Sequence, residues 1–190
     1  SEMCIRDRFV DDASLNQIEA AIEAELDAKA KELGVTFDYT LYNGQGDATT
    51  LNQIGAELVG KGVDLIVPIA TPAVKIMQSA TEDTEIPIVF SAVSDPVGSG
   101  IVDALDAPGS RITGTSDALP VEAQLKLIRA LMPDATKIGI LHTTSETNSD
   151  ATLALYKELA PNYGFEIIDK GISTGADLPM ALDALLPQVD

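Results

Sequence analysis

Tryptophan is absent from the 190 residues, and cysteine and histidine occur once each, as Cys4 and His142. A single cysteine excludes an internal disulfide framework and a multi-cysteine metal site. A single histidine excludes a multi-histidine metal site and leaves a Ser-His-Asp triad without support from any motif. Positive charge is scarce: 12 Lys+Arg stand against 30 Asp+Glu, a formal net charge of −18. Binding phosphate backbones or anionic lipid needs clustered Lys and Arg, so nucleic acid and membrane surface are not the main partners. No apolar run approaches the roughly 18 residues of a membrane span. The N-terminus lacks a basic stretch followed by an apolar one, and Cys4 follows Ser1-Glu2-Met3 rather than the small apolar residues of a lipoprotein cleavage site. Repeats, low-complexity runs and heptads are missing too. The polar octet from Ser1 to Arg8 matches no element pattern and reads as a scar of cloning or assembly.

What remains is a chain able to fold. Hydrophobic residues make up 45% and charged residues 22%, a balance that builds a core. The length allows one domain of roughly 150 residues, or one and a fraction. Leu15, Ile18, Ile22, Leu26, Ala30 and Leu33 recur at steps of three or four and predict an amphipathic helix ended by Gly34. Alternation with Phe37 and Tyr39 predicts a strand over 35–41. Asp47 caps a helix that stops at Gly60/Gly62, and 64–69 is an almost continuously apolar strand of the kind buried on both faces of a parallel sheet. Thr71-Pro72 reads as N-cap and first helical residue. A buried strand over 86–90, a short strand over 112–115, strands over 137–141 and 165–169, and helices over 120–132, 147–159 and 178–186 complete the pattern. Helices and short apolar strands alternate, which marks an α/β fold with a parallel sheet. Only Phe9-Val10 precedes the first helix, and no strand follows the last. A crossover helix exists to return the chain to its sheet, so a fragment is expected.

In an open parallel sheet, ligands sit at the carboxyl ends of the strands. The residues there are Ala70-Thr71-Pro72, Ser91-Ala92-Val93-Ser94-Asp95-Pro96, Thr115-Ser116-Asp117 and His142 to Ser149. Small hydroxyl residues recur at all four ends, and carboxylates at three. Hydroxyls and helix N-terminal N–H groups suit a carboxylate; Asp95, Asp117 and Glu146 suit an ammonium. Together they suit a zwitterion such as an amino acid. The same residue types are preferred helix caps, which alone accounts for Asp47, Thr71 and one residue of the run 145–149. Gly98-Ser99-Gly100 and Gly44-Gln45-Gly46 lack the spacing of a dinucleotide-binding loop, and no poised base or nucleophile is visible.

The run Asp64-Leu65-Ile66-Val67 to Ala70-Thr71-Pro72-Ala73, then Ile86 to Pro96, Ile112 to Asp117, and Val121-Glu122-Ala123-Gln124-Leu125 closely resembles the tryptophan/tyrosine-type ABC transporter substrate-binding proteins. Ser145-Glu146-Thr147-Asn148-Ser149 and the turn from Asn43 to Asp47 match further segments of that family, a branch of the type I periplasmic binding protein fold. The resemblance implies two α/β lobes joined by a hinge, over 9–117 (first strand missing) and 118–190 (second lobe incomplete). It implies an extracytoplasmic solute-binding component of an ABC importer, not an enzyme. Such a protein holds a small zwitterionic ligand, an amino acid with aromatic ones included, without cofactor or metal, and delivers it to permease subunits. In the full-length protein it is periplasmic or extracellular and membrane-anchored. Carried over by position, Thr71, Ala92, Ser94 and Asp95 form one wall. Ser116 and Asp117 lie near the hinge, and Ser145, Glu146 and Asn148 form the opposing wall. Glu146 or Asp117 would pair with the ammonium. Thr143-Thr144 depart from the Asn-Pro usual before Ser-Glu, which affects that wall. The alternatives are a ligand-sensing regulatory domain, which needs a helix-turn-helix that the chain does not show, and a small α/β enzyme of related fold.

Overall fold

The computed structural model describes residues 4–8, 13–144 and 147–190. It divides into two compact units, Ser1–Ala118 and Leu119–Asp190.

The first unit runs β1 (Cys4–Arg8), α1 (Ala13–Leu33), β2 (Tyr42–Asn43), α2 (Ala48–Lys61), β3 (Ile66–Ile69), α3 (Thr71–Ala80), β4 (Ile88–Val93) and β5 (Ile112–Ser116). All five strands are parallel, in the order β2-β1-β3-β4-β5. From β1 the chain first moves to one side and then to the other, so the order reverses between β1 and β3. That reversal is where an open α/β sheet leaves a crevice. All four residues of β3 are buried, as its unbroken apolar run requires of a strand flanked on both edges. α2 begins at Asp47, whose carboxylate accepts from Thr50 N at 2.7 Å, and ends at Gly62 in the left-handed region, φ 65°. The helix sends Leu51, Ile54 and Leu58 into the core with Val74 and Met77 of α3. Each large apolar side chain fully buried there contributes roughly 1.5–3 kcal/mol. Gly55 permits the close approach of α2 to α3, since a Cβ on it would lie 2.7 Å from Ala80 Cβ.

Three sequence expectations are corrected here. Cys4–Arg8 is a strand, paired in parallel with β2 and β3, where the octet matched no element pattern and the first strand was expected to be missing. Neighbours on both edges supply the backbone hydrogen bonds, which no alternation of side chains announces. The strand expected over 35–41 lies after that span, at Tyr42–Asn43, where β2 sits at the sheet edge and pairs with β1 alone. Val89 is 37% exposed, so β4 alternates between its faces instead of being buried throughout. α1 has the predicted span, yet none of its residues is fully buried.

The second unit runs α4 (Val121–Leu131), β6 (Lys137–Thr143), α5 (Thr147–Leu159), β7 (Glu166–Ile172) and α6 (Leu178–Leu185). β6 and β7 pair in parallel from Lys137↔Glu166 to Thr143↔Ile172. Val121, Leu125, Ala135, Ala160 and Phe165 form its core. Arg129 fastens the end of α4 to the turn before β7. It donates to the carbonyls of Met132, Pro133, Ala135, Tyr163 and Gly164, and its guanidinium lies 3.8 Å from the Phe165 ring centroid. At the end of the chain Val189 is extended and Asp190 N donates to Lys137 O.

Candidate functional site

The carboxyl ends of β3, β4 and β5 lie side by side. Ala70 N donates to Ser91 O at 3.0 Å, Asp117 N to Val93 O at 3.2 Å, and Thr115 Oγ1 to Ser91 Oγ at 3.4 Å. Ser116 Oγ donates to Ser94 O at 3.4 Å and accepts from Ala118 N at 3.2 Å. The fold thereby gathers Thr71, Ala92, Ser94, Ser116 and Asp117 at one end of the sheet, as the strand-end argument expects.

Backbone strain is concentrated at the same place. Ala70 has φ 75°, ψ 149°, and Ala92 has φ 55°. Ala70 occupies a region almost reserved for glycine, and such positions cost of order 1–3 kcal/mol each and cluster at functional sites. Three non-glycine residues with positive φ occur among the described residues, the third being Gln45 in the turn before α2. Sequence reasoning missed Ala70, because alanine carries no local mark of the conformation it is held in.

The strain has a geometric result. Ala70 itself is the N-cap of α3: it is non-helical, and its carbonyl accepts from Val74 N at 3.2 Å. Thr71 is therefore the first helical residue and not the cap. Its side chain is buried, 5% exposed, and no side chain caps the helix. Pro72 has no N–H, so Thr71 N and Ala73 N are the first-turn donors of α3 left without a side-chain cap, where in α2 Asp47 accepts from Thr50 N. Uncapped donors at a helix N-terminus suit an anion.

Asp95 answers differently. Its carboxylate accepts from Gly98 N at 2.8 Å and closes the turn after β4, so a local structural duty accounts for it. Asp117 and Ser116 are exposed.

In the second unit the equivalent strand end is β6. Ser145 and Glu146 lie outside the described residues; Asn148 stands in the first turn of α5, half-buried. At the end of β6, the His142 side chain is 13% exposed, with Nε2 3.4 Å from Asp169 Oδ2. Among the described residues its buried Nδ1 has no hydrogen-bond partner. Lys157 Nζ lies 2.6 Å from the other oxygen of Asp169 and, more than His142, holds that carboxyl below the usual carboxylate value. His142 was legible as a strand-end residue, but its burial was not.

Among the described residues no group of three or more His, Cys, Asp and Glu is placed to hold a metal ion, and no helix is long and apolar enough to cross a membrane. What the first unit offers is a polar strand end with unspent backbone donors.

A family model described as "ABC transporter substrate binding protein" matches residues 7–190. The chain is 34% identical over 183 residues to a tyrosine-binding protein from Clostridioides difficile (strain R20291), covering 96% of this chain and 52% of that one. It is 31% identical, with TM-score 0.85, to a Streptococcus pneumoniae ABC domain solved in complex with L-Trp; all of this chain and 63% of that one are covered. A leucine-binding protein from Thermotoga maritima, at 13% identity and TM-score 0.70 over 96% of this chain and 53% of that one, shows the fold alone. The chain spans about half the length of the curated relative it matches.

Proposed function

Since the chain belongs to the ABC transporter substrate-binding protein family, we propose that it is part of the solute receptor of an ABC importer and takes an aromatic amino acid. The fold is the parallel α/β fold of type I periplasmic binding proteins. The family is one of solute-binding proteins, not of enzymes, and its members work outside the cytoplasm. The observation that carries the reading is the strained strand end at Ala70 and Ala92 with the uncapped start of α3. The free N–H groups there, with Thr71, Ser94 and Ser116, receive the ligand carboxylate. Charge-assisted bonds to preorganised donors are the strong ones. Asp117 and Glu146 are the candidates to pair with the ammonium; Asn148 contacts the ligand, and Asp95 serves its turn. Permease subunits are the partners that receive the cargo, and the full-length protein is anchored at the outer face of the membrane.

A relative named for tyrosine binding and one solved with L-Trp choose the probes. A thermal-shift series with Tyr, Trp, Leu and ribose tests the reading on this chain. A ligand at about 100 times its Kd adds roughly 2.7 kcal/mol to the folded state. Tyr or Trp should raise the melting temperature and ribose should not. A melt that none of the amino acids moves overturns the assignment for this chain. Glu146→Gln should weaken an amino acid but not a neutral analogue that lacks the ammonium; equal loss for both removes the ammonium role.

A further inference from the structure

A polar cavity opens at the other end of the first unit's sheet. It has a volume of about 500 Å³ and is lined by Lys75, Gln78 and Ser79 of α3, Glu82, and Ser110 and Arg111 before β5. Arg111 immediately precedes β5, whereas the candidate ligand site follows it. A five-residue strand rising about 3.3 Å per residue puts about 13 Å between the two ends.

Both cations of this cavity are held in place by backbone carbonyls. Arg111 donates to Thr81 O at 2.6 Å and to Ile86 O at 2.9 Å, and Lys75 donates to Ser99 O at 2.8 Å. Gln78 fastens the same turn through Gly100 O at 3.1 Å. Among the described residues neither cation has a carboxylate within ion-pairing distance, whereas Lys29, Lys61, Lys126 and Lys157 are each paired with one. Carbonyls orient a cation without neutralising it. Of their donors, two on Lys75 and three on Arg111 remain uncommitted. With Glu82 the lining carries two positive charges and one negative, a local excess of +1 in a chain of −18. Pinning Arg111 as a mere strap would require neither the cavity nor the fixed lysine facing it.

We propose that this cavity binds a phosphate-class oxyanion. Donors reach it from Lys75 of α3 and from Ser110 and Arg111 before β5. A tetrahedral oxyanion presents acceptors in several directions and can meet all three, where a planar carboxylate has two oxygens. Because the cations are already oriented, little side-chain freedom is lost on binding.

Isothermal titration of the 190-residue chain with inorganic phosphate, against acetate and chloride at matched ionic strength, tests the assignment. Phosphate should bind saturably at one site, with acetate and chloride giving no saturable signal. Lys75→Gln, an exposed position, should weaken phosphate at least about fivefold through one lost charge-assisted bond. Lys29→Gln, which removes a lysine paired with Glu32, should leave it unchanged. Absence of saturable phosphate binding, or equal affinity in the wild type and Lys75→Gln, overturns the proposal. Titrating Trp and Tyr into Lys75→Gln separates this site from the strand-end one, because amino-acid binding should not change with Lys75.

Discussion

Ala70 and Gly114 illustrate how single backbone positions decide the strand ends. At Ala70 the strain, of order 1–3 kcal/mol, exceeds the entropic cost of a glycine, about 0.5–1 kcal/mol. Ala70→Gly should therefore raise stability by about 1 kcal/mol in urea denaturation; a clear loss instead would show that Ala70 is not strained. Gly114 faces Phe90 across β4 and β5, and a Cβ on it would fall 2.1 Å from Phe90 O. Gly114→Ala should cost about 1–3 kcal/mol, because backbone and not a flexible side-chain tip must move. Asp169 sets a pH response. Its folded pKa is depressed, chiefly by Lys157, so the stability it supplies is present above its unfolded pKa and lost as pH falls through the folded value. Acid titration of the melting temperature should show a smaller loss in Asp169→Asn than in the wild type. The polar residue types at the strand ends were legible from position alone. The duty of each was not: Asp95 and Thr71 carry equally good capping side chains, yet Asp95 closes a turn while Ala70 takes the cap in place of Thr71.

Elements whose residues satisfy a local rule formed where expected. Asp47 and Gly62 bracket α2, and the apolar run of β3 is buried in full. Asp47→Ala should lower stability by removing the N-cap of α2, read as a fall in the denaturation midpoint. In the second unit the end of α4 depends on Arg129, whose planar fork reaches five carbonyls while stacking on Phe165. Lysine cannot reproduce that arrangement. Arg129→Lys should lower the stability of the second unit by about 2 kcal/mol, several carbonyls losing a donor at once; an unchanged unfolding transition would refute it. β1 and β2 follow no local rule, since one is polar and the other is two residues long. Their strand character comes from the neighbours they pair with.

Over the whole molecule, 30 acids and 12 bases produce self-repulsion that no ion pair removes. Salt screens such repulsion, with a Debye length of about 10 Å at 0.1 M. The melting temperature should therefore rise between about 0.02 and about 0.5 M sodium chloride; a fall would mean that the few ion pairs outweigh the net charge. Within that excess of acid, the cavity before β5 brings Lys75 and Arg111 together with no carboxylate in ion-pairing distance among the described residues.

Periodicity, caps and glycine stops are local properties, so the sequence by itself determined the α/β class, most helix spans, the central apolar strands and the strand ends at which polar residues would collect. Strand order, the place of Cys4–Arg8 between two parallel strands, the half-exposed face of α1 and the backbone of Ala70 and Ala92 were decided by tertiary structure. Each depends on hydrogen bonds and packing between residues far apart in the chain, and such pairings leave no mark on the residues that make them.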